Sequence, residues 1–264
     1  MSYDLFSLAG RTALVTGGSR GIGRMIAEGF LRSGAKVYIS SRKAEACEAT
    51  VKALSPLGDI RALPADVSTV DGVKALAAAF GERENSLDIL VNNAGAAWLA
   101  PFDEFPEKGW DKVMDLNVKS IFFLTQALAP KLRAAASPDR PAKVINIASV
   151  DGQMVNPQET YSYNASKAAL IHLTKRLSLR LVEDHICVTA IAPGAFASDM
   201  NVSARDHAEA IAARIPARRI GRGEDMAGAA IYLASRAGDY VVGQTVTVDG
   251  GISLVHASAS MEDD

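Results

Sequence analysis

Thr12-Ala-Leu-Val-Thr16 running straight into Gly17-Gly-Ser-Arg-Gly-Ile-Gly23 is the stretch that decides how the rest of the chain is read. The first part is a short apolar run rich in strand formers, and the second places glycines at 17, 21 and 23. Arg24-Met-Ile-Ala-Glu-Gly-Phe-Leu-Arg32 then sets Met25, Ile26, Gly29 and Phe30 on one helical stripe, which Ser33-Gly34 ends. Lys36-Val-Tyr-Ile-Ser40 reads as a second strand. In a strand-helix-strand unit such glycines permit backbone angles and close approach that a side chain would block. Free amides at the helix start, around Gly21, Ile22 and Gly23, then face a dinucleotide pyrophosphate. The competing reading is a tight turn that binds nothing.

An NAD site of this kind places an acid about twenty residues past the glycines, on the ribose 2′-hydroxyl. Here that region is Ser40-Ser41-Arg42-Lys43, without a carboxylate. Arg42, with Arg20 in the glycine loop, can instead pair with a 2′-phosphate through charge-assisted hydrogen bonds, which points to NADP. The alternative is that Arg42 and Lys43 merely open a solvated helix.

The alternation continues down the chain. Ala44 to Ser55 is helix-like, Ile60 to Ala65 a strand closing on Asp66, and Val70 to Phe80 a helix. Leu87-Asp-Ile-Leu-Val91 is a fourth strand, and it ends on Asn92-Asn93-Ala94-Gly95 where ligands bind in open parallel sheets. A long helical pattern from Trp110 to Arg133 carries one amide, Asn117, in an apolar series; it is either a structural bridge or a functional water-holder. Lys143 to Ala148 is a fifth strand with Ser149 at its carboxyl end. Fourteen residues later stand Tyr163 and Lys167, four apart and on one helical face, where a fixed charge favours phenolate and lowers a tyrosine pKa. Such a pair is also a common exposed helix pair. Tyr161 has Ala165 at the same offset, so packing suits it better.

Cys187 to Ile191 is a sixth strand leading to Pro193-Gly194. Residues 195–216 carry few structural signals, and a loop of that length suggests a substrate lid. Glu224 to Ser235 is a last helix, Gln244 to Val248 a seventh strand, and residues 252–264 a tail with little to fold around. Trp98, Met154, Val155 and Phe196 give the expected pocket an apolar cast, unless they simply pack on one another.

The 264 residues, 48% hydrophobic and without a long Pro/Ser/Gly linker, argue for one domain over 1–264. A net charge of -2 with scattered Lys and Arg offers no nucleic-acid footprint. Cys47 and Cys187 are isolated, which fits free thiols in a reducing cytoplasm, and the four histidines form no close pair, so no metal site is expected. The opening Met1-Ser-Tyr-Asp-Leu-Phe6 lacks a signal-peptide pattern, and no apolar run is long enough for a membrane span.

Thr16-Gly-Gly-Ser-Arg-Gly-Ile-Gly23, Asn92-Asn-Ala-Gly95, Asn117, Ser149, Tyr163-Asn-Ala-Ser-Lys167 and Pro193-Gly194, in this order, resemble the short-chain dehydrogenase/reductase family over essentially the whole length. The resemblance implies an α/β, Rossmann-type doubly wound domain, a seven-stranded parallel sheet with helices on both faces, commonly assembled as a homotetramer. It implies a catalytic set of Asn117, Ser149, Tyr163 and Lys167. Tyr163 would protonate a carbonyl oxygen that Ser149 holds. Lys167 would contact the nicotinamide ribose and lower the tyrosine pKa, and Asn117 would hold a relay water. NADP(H) would be bound by Gly17, Ser19, Arg20, Gly21, Ile22, Gly23, Ser41, Arg42, Asp66, Val67, Asn93, Ala94, Gly95, Tyr163, Lys167, Pro193, Gly194 and Ser198, where Ser198 stands in place of a frequent threonine. Phe6-Ser-Leu-Ala-Gly10, Lys43-Ala-Glu-Ala-Cys47 and the wide spacing that ends in Tyr161-x-Tyr163 look like 3-oxoacyl reductases within the family. A 3-oxoacyl thioester is therefore the expected substrate, with other hydrophobic ketones, sugars or steroids as the alternative and a non-catalytic NADP-binding regulator as the outlying one.

Overall fold

The computed structural model describes residues 4–197 and 206–255. Seven strands, β1 (Thr12–Thr16), β2 (Lys36–Ser40), β3 (Ile60–Ala62), β4 (Ile89–Asn92), β5 (Ala142–Ile147), β6 (Ile186–Pro193) and β7 (Thr245–Val248), form one parallel sheet. The order is β3-β2-β1-β4-β5-β6-β7, so the winding reverses between β1 and β4. That reversal opens a crevice at the carboxyl ends of the two strands.

Strand residues feed two apolar layers because successive side chains point to opposite faces. Ala13 and Val15 of β1 join Ile26 and Phe30 of α1 (Gly21–Arg32), Leu54 of α2 (Ala44–Leu54) and Met226 and Leu233 of α8 (Gly223–Ala234) on one side. Leu14, between them in sequence, packs on the other side with Leu76 and Phe80 of α3 (Val70–Gly81) and Leu124 and Leu128 of α5 (Ser120–Ala135). The remaining helices are α4 (Glu107–Met114), α6 (Tyr161–Leu181) and the short α7 (Ala208–Arg214).

Three expectations change. The pattern from Trp110 to Arg133 is not one regular helix, because a π-turn over Asp115–Lys119 separates α4 from α5 and carries Asn117. Such turns are costly to form and recur at functional sites. Residues 195–216 are not wholly loop, since α7 lies within them, although 198–205 fall outside the described residues. The third and fourth strands are shorter than, or displaced from, their apolar runs: β3 stops at Ala62 and β4 begins at Ile89.

Candidate active site

The glycine turn is locked to the neighbouring strand end by a small set of backbone-directed bonds. Thr16 Oγ1 accepts from the amides of Asn93 and Ala94, both at 3.0 Å, and donates to the Val91 carbonyl. Asn93 Nδ2 returns bonds to the carbonyls of Thr16 at 2.9 Å and Gly17 at 3.2 Å. Gly17 has φ +65°, and a Cβ on Gly23 would lie 2.4 Å from the Gly17 carbonyl oxygen, so neither position accepts a side chain. Asn93 therefore shapes the turn through its side chain. Arg20 is the extended N-cap of α1; it supplies no side-chain cap, and the first turn contains no acid. The leading amides of α1 thus keep their donors and the positive end of the helix for an anion.

The second anion locus follows β2. Ser41 and the exposed Arg42 stand beside the glycine turn, tied to it by the Gly18 amide on the Ser40 carbonyl at 3.2 Å. Arg42 is near enough to Asp66 for its charge to act on the carboxyl. Burial raises the Asp66 pKa, but the Ser68 hydrogen bonds and Arg42 outweigh it and leave it below the ordinary value. Val67 is buried next to it. The donor set suits a pyrophosphate at α1 and a phosphate-bearing ribose between the loop carrying Ser19 and Arg20 and the turn carrying Ser41 and Arg42.

The catalytic candidates meet at the same rim. Ser149, buried at the end of β5, caps a short turn over Val150–Gly152, its Oγ accepting from the Asp151 amide at 3.1 Å. A Cβ on Gly152 would stand 2.6 Å from the Lys167 carbonyl carbon, so only glycine lets this turn lie flat on α6. Lys167 Nζ donates to the Ile147 carbonyl at 2.8 Å and sits 5.5 Å from the centroid of the Tyr163 ring. Asn117 is fully buried: Nδ2 donates to the Ala96 carbonyl and to Ser166 Oγ, both at 2.9 Å, and Oδ1 accepts from the Ala96 amide at 2.8 Å. Ser166 Oγ in turn donates to the Tyr163 carbonyl at 2.7 Å. Asn117 thus latches the segment after Gly95 to the helix that carries the tyrosine.

The electrostatics overturn the expected sign at Tyr163. Loss of solvation pushes its phenol up to about 12, with a hydrogen bond from Ser149 pulling down and Asp151 pushing up. Burial lowers the Lys167 pKa to about 8, against the opposing pull of Asp151. Desolvation wins at both groups because each loses water and neither has a contacting opposite charge among the described residues.

The expected pocket residues divide. Phe196 is a core residue against Gly221, and Trp98 lies flat on Gly109 of α4 with Lys112 Nζ 5.2 Å from its ring. Met154 is half-buried and Val155 exposed on the loop between Ser149 and Tyr163. Tyr161 stands apart from Lys167 in an aromatic cluster with Phe102 and Phe105, its hydroxyl on Glu159 at 3.1 Å. Pro193 and Gly194 end β6 against Asp249, and Ser198 lies outside the described residues. No group of three or more His, Cys, Asp or Glu suited to a metal occurs among the described residues. Asp151 and Gly152 open the Asp151 to Pro157 loop that the sequence assigns to the pocket wall; their place directly beside Lys167 and Tyr163 is what the fold adds, and the glycine in a turn directly after Ser149 is the local signal for it.

Residues 17–253 match the family model described as Enoyl-(Acyl carrier protein) reductase. The chain belongs to the short-chain dehydrogenase/reductase family. It is 51% identical over 255 residues to the rhamnolipids biosynthesis 3-oxoacyl-[acyl-carrier-protein] reductase of Pseudomonas aeruginosa, covering 96% of this chain and all of that one. The gluconate 5-dehydrogenase of Gluconobacter oxydans is 38% identical, over 95% of this chain and 98% of its own. Among solved structures, the Pseudomonas aeruginosa RhlG/NADP active-site complex superposes with a TM-score of 0.92 at 50% identity, covering 95% of this chain and 99% of that one.

Proposed function

We propose that the protein is an NADPH-dependent reductase that converts a carbonyl, in the first instance a 3-oxoacyl thioester, to a secondary alcohol. The observation that carries this reading is the meeting of Ser149, Tyr163 and Lys167 on the rim that also holds the uncapped start of α1. NADPH, when bound, supplies the hydride. The chain's own residues do the rest. Gly17, Ser19, Gly21, Ile22 and Gly23 would hold the pyrophosphate, Arg20, Ser41 and Arg42 the 2′-phosphate, and Asp66 and Val67 would border the adenine. Ala94, Gly95, Pro193 and Gly194 would line the nicotinamide end, and the expected contact from Ser198 falls outside the described residues.

Ser149 donates to the carbonyl oxygen and fixes it beside Tyr163. Tyr163, with its pKa at about 12, keeps its proton at neutral pH and gives it to that oxygen as negative charge develops. Lys167, with a pKa near 8, is protonated below that pH and stabilises the phenolate left behind. Asn117 spends both amide donors on protein, so relay water falls to its acceptor oxygens. A raised tyrosine pKa suits reduction more than oxidation.

The thioester reading is supported by the 51% identical relative. Asp151 adds a physical argument against a sugar acid such as gluconate, because its negative charge acts on both Tyr163 and Lys167 and would repel a second carboxylate there. We read residues 1–264 as one domain with a substrate lid within 195–216, hinged beyond the buried Phe196; the expected tail over 252–264 starts later than that, because Ile252–Leu254 form a helical turn whose Ser253 is bonded to Asp249. Assembly as a cytoplasmic homotetramer is supported by the resemblance, by two free buried thiols, and by exposed Phe122 and Leu179 on α5 and α6. No described helix is long and apolar enough to cross a membrane.

The test is Tyr163→Phe assayed by NADPH absorbance loss with a 3-oxoacyl thioester. The expected fall in kcat/KM is about 10³-fold, the range of a lost general acid. Turnover within a few-fold of wild type would overturn the mechanism, and inactivity of the wild type on every such thioester would overturn the substrate.

A further inference from the structure

Helix α2 presents two buried polar side chains, Cys47 and Thr50, one turn apart on the face packed against the nucleotide edge of the sheet. Thr50 Oγ1 donates to the Ser19 carbonyl at 2.9 Å. Cys47 Sγ lies 3.1 Å from Ser41 Oγ and contacts the Ser41 carbonyl at 3.8 Å. Ser19 and Ser41 belong to the two segments that flank the second anion locus, and each is followed at once by an arginine, Arg20 or Arg42. Threonine is a poor helix former, and mid-helix it commonly bonds its own preceding turn. Here the hydroxyl instead crosses to another element. The strand-end ties, Gly18 to Ser40 and Ala65 to Ser41, are backbone bonds independent of α2, so the side chains of α2 are not needed to pair the strands.

We infer that Thr50 and Cys47 are positioning residues that hold the Ser19-Arg20 and Ser41-Arg42 segments at the separation a ribose 2′-phosphate requires, and so set the preference for NADPH over NADH. Thr50 acts on the loop side, where a freed Ser19 peptide would let Arg20 swing. Cys47 acts on the strand side by orienting the Ser41 hydroxyl. The inference rests on the assignment of the 2′-phosphate to this locus.

The experiment measures Kd by calorimetry for adenosine 2′,5′-bisphosphate and for AMP, together with KM for NADPH and NADH. Thr50→Val keeps the shape and removes the donor. It is expected to weaken the bisphosphate and raise the NADPH KM by about fivefold, the loss of one ordinary hydrogen bond, while AMP and NADH change by less than about twofold. Thr50→Ser restores the hydroxyl and is expected to restore the wild-type preference. Cys47→Ala is expected to act in the same direction by about twofold, and Cys47→Ser to return it. Arg42→Ala separates the two levels of the argument: it is expected to cost the bisphosphate about tenfold or more. If Arg42→Ala leaves bisphosphate affinity unchanged, the locus is misassigned and the inference falls with it. If Arg42→Ala weakens it but Thr50→Val moves both nucleotides alike, or neither, the positioning role is wrong while the locus stands.

Discussion

Two lysines are buried at opposite ends of β5, and their surroundings differ in one decisive respect. Lys143, near the start of the strand and 1% exposed, has a carboxylate in contact, Asp239 at 2.7 Å. Lys167, reaching the end of the strand from α6 and 4% exposed, donates to the Ile147 carbonyl at 2.8 Å and has no carboxylate in contact among the described residues. Around Lys143 the edge is a closed arrangement of charges: Arg11 donates to the Pro141 carbonyl, and Arg140 pairs with Asp88 at 3.1 Å. Around Lys167 the burial is left partly uncompensated, and its pKa falls to about 8. A buried cation given its counter-ion is architecture, whereas one given only a dipole can titrate near the working pH and serve chemistry.

The contrast is broken most severely by Lys167→Met. Loss of the charge that stabilises the tyrosine's conjugate base is expected to lower kcat/KM by about 10²- to 10³-fold with little loss of stability, because an uncompensated buried charge is also removed. Lys143→Met should do the reverse. It leaves Asp239 without its partner, and the expected cost is about 2–4 kcal/mol in denaturant unfolding, at the lower end of buried-pair values because the Asp239 side chain is 27% exposed. Its kcat/KM per folded molecule should stay within about threefold of wild type. Equal losses of activity in the two variants would erase the distinction.

How much of this was open to sequence reasoning follows the range of the interactions involved. The glycine turn, the four-residue offset of Tyr163 and Lys167, and the strand-end position of Ser149 are local patterns, and they point to the rim from sequence alone. The ionic partner of Lys143 lies on a segment that only the fold brings near. The same is true of the buried chain in which Asn92 Nδ2 donates to Thr125 and Asn146, and Asn146 donates to Thr174, pinning α5 and α6 to the central strands. The π-turn at Asn117 has the same apolar spacing as the helix it interrupts. The pKa of Tyr163 rises where the spacing predicts a fall, since spacing shows that a lysine is close but not that both groups are desolvated.

The pH dependence sharpens the comparison by a smaller factor. Lys167 holds its proton in the fold only up to about 8, while Tyr163 keeps its own to about 12. The reductive kcat/KM should be level below about pH 8 and then fall, approaching tenfold per unit, as the lysine discharges. Stability has the opposite slope from this group. From about 8 to the ordinary value of 10.5 the unfolded chain binds a proton that the folded chain has released, so the burden of the buried charge is full below about 8 and fades above it. Stability gained by Lys167→Met should therefore be greatest at neutral pH and shrink towards pH 10. A reductive rate still level at pH 9.5 would show that the charge of Lys167 is not what the reaction uses.

The smallest expected effect belongs to the tyrosine that the offset rule set aside. Tyr161 begins α6 two residues before Tyr163, is 38% exposed, and bonds Glu159, which together with burial raises its pKa. Its ring packs edge-on against Phe102 and Phe105 at 5.7 and 5.6 Å. Tyr161→Phe keeps that packing and removes one surface hydrogen bond, so kcat/KM should change by less than about twofold. If it instead fell as Tyr163→Phe is expected to fall, the proton would be coming from the Tyr161 hydroxyl and its partner Glu159. Four-residue spacing to an ammonium would then no longer explain which of the two phenols reacts.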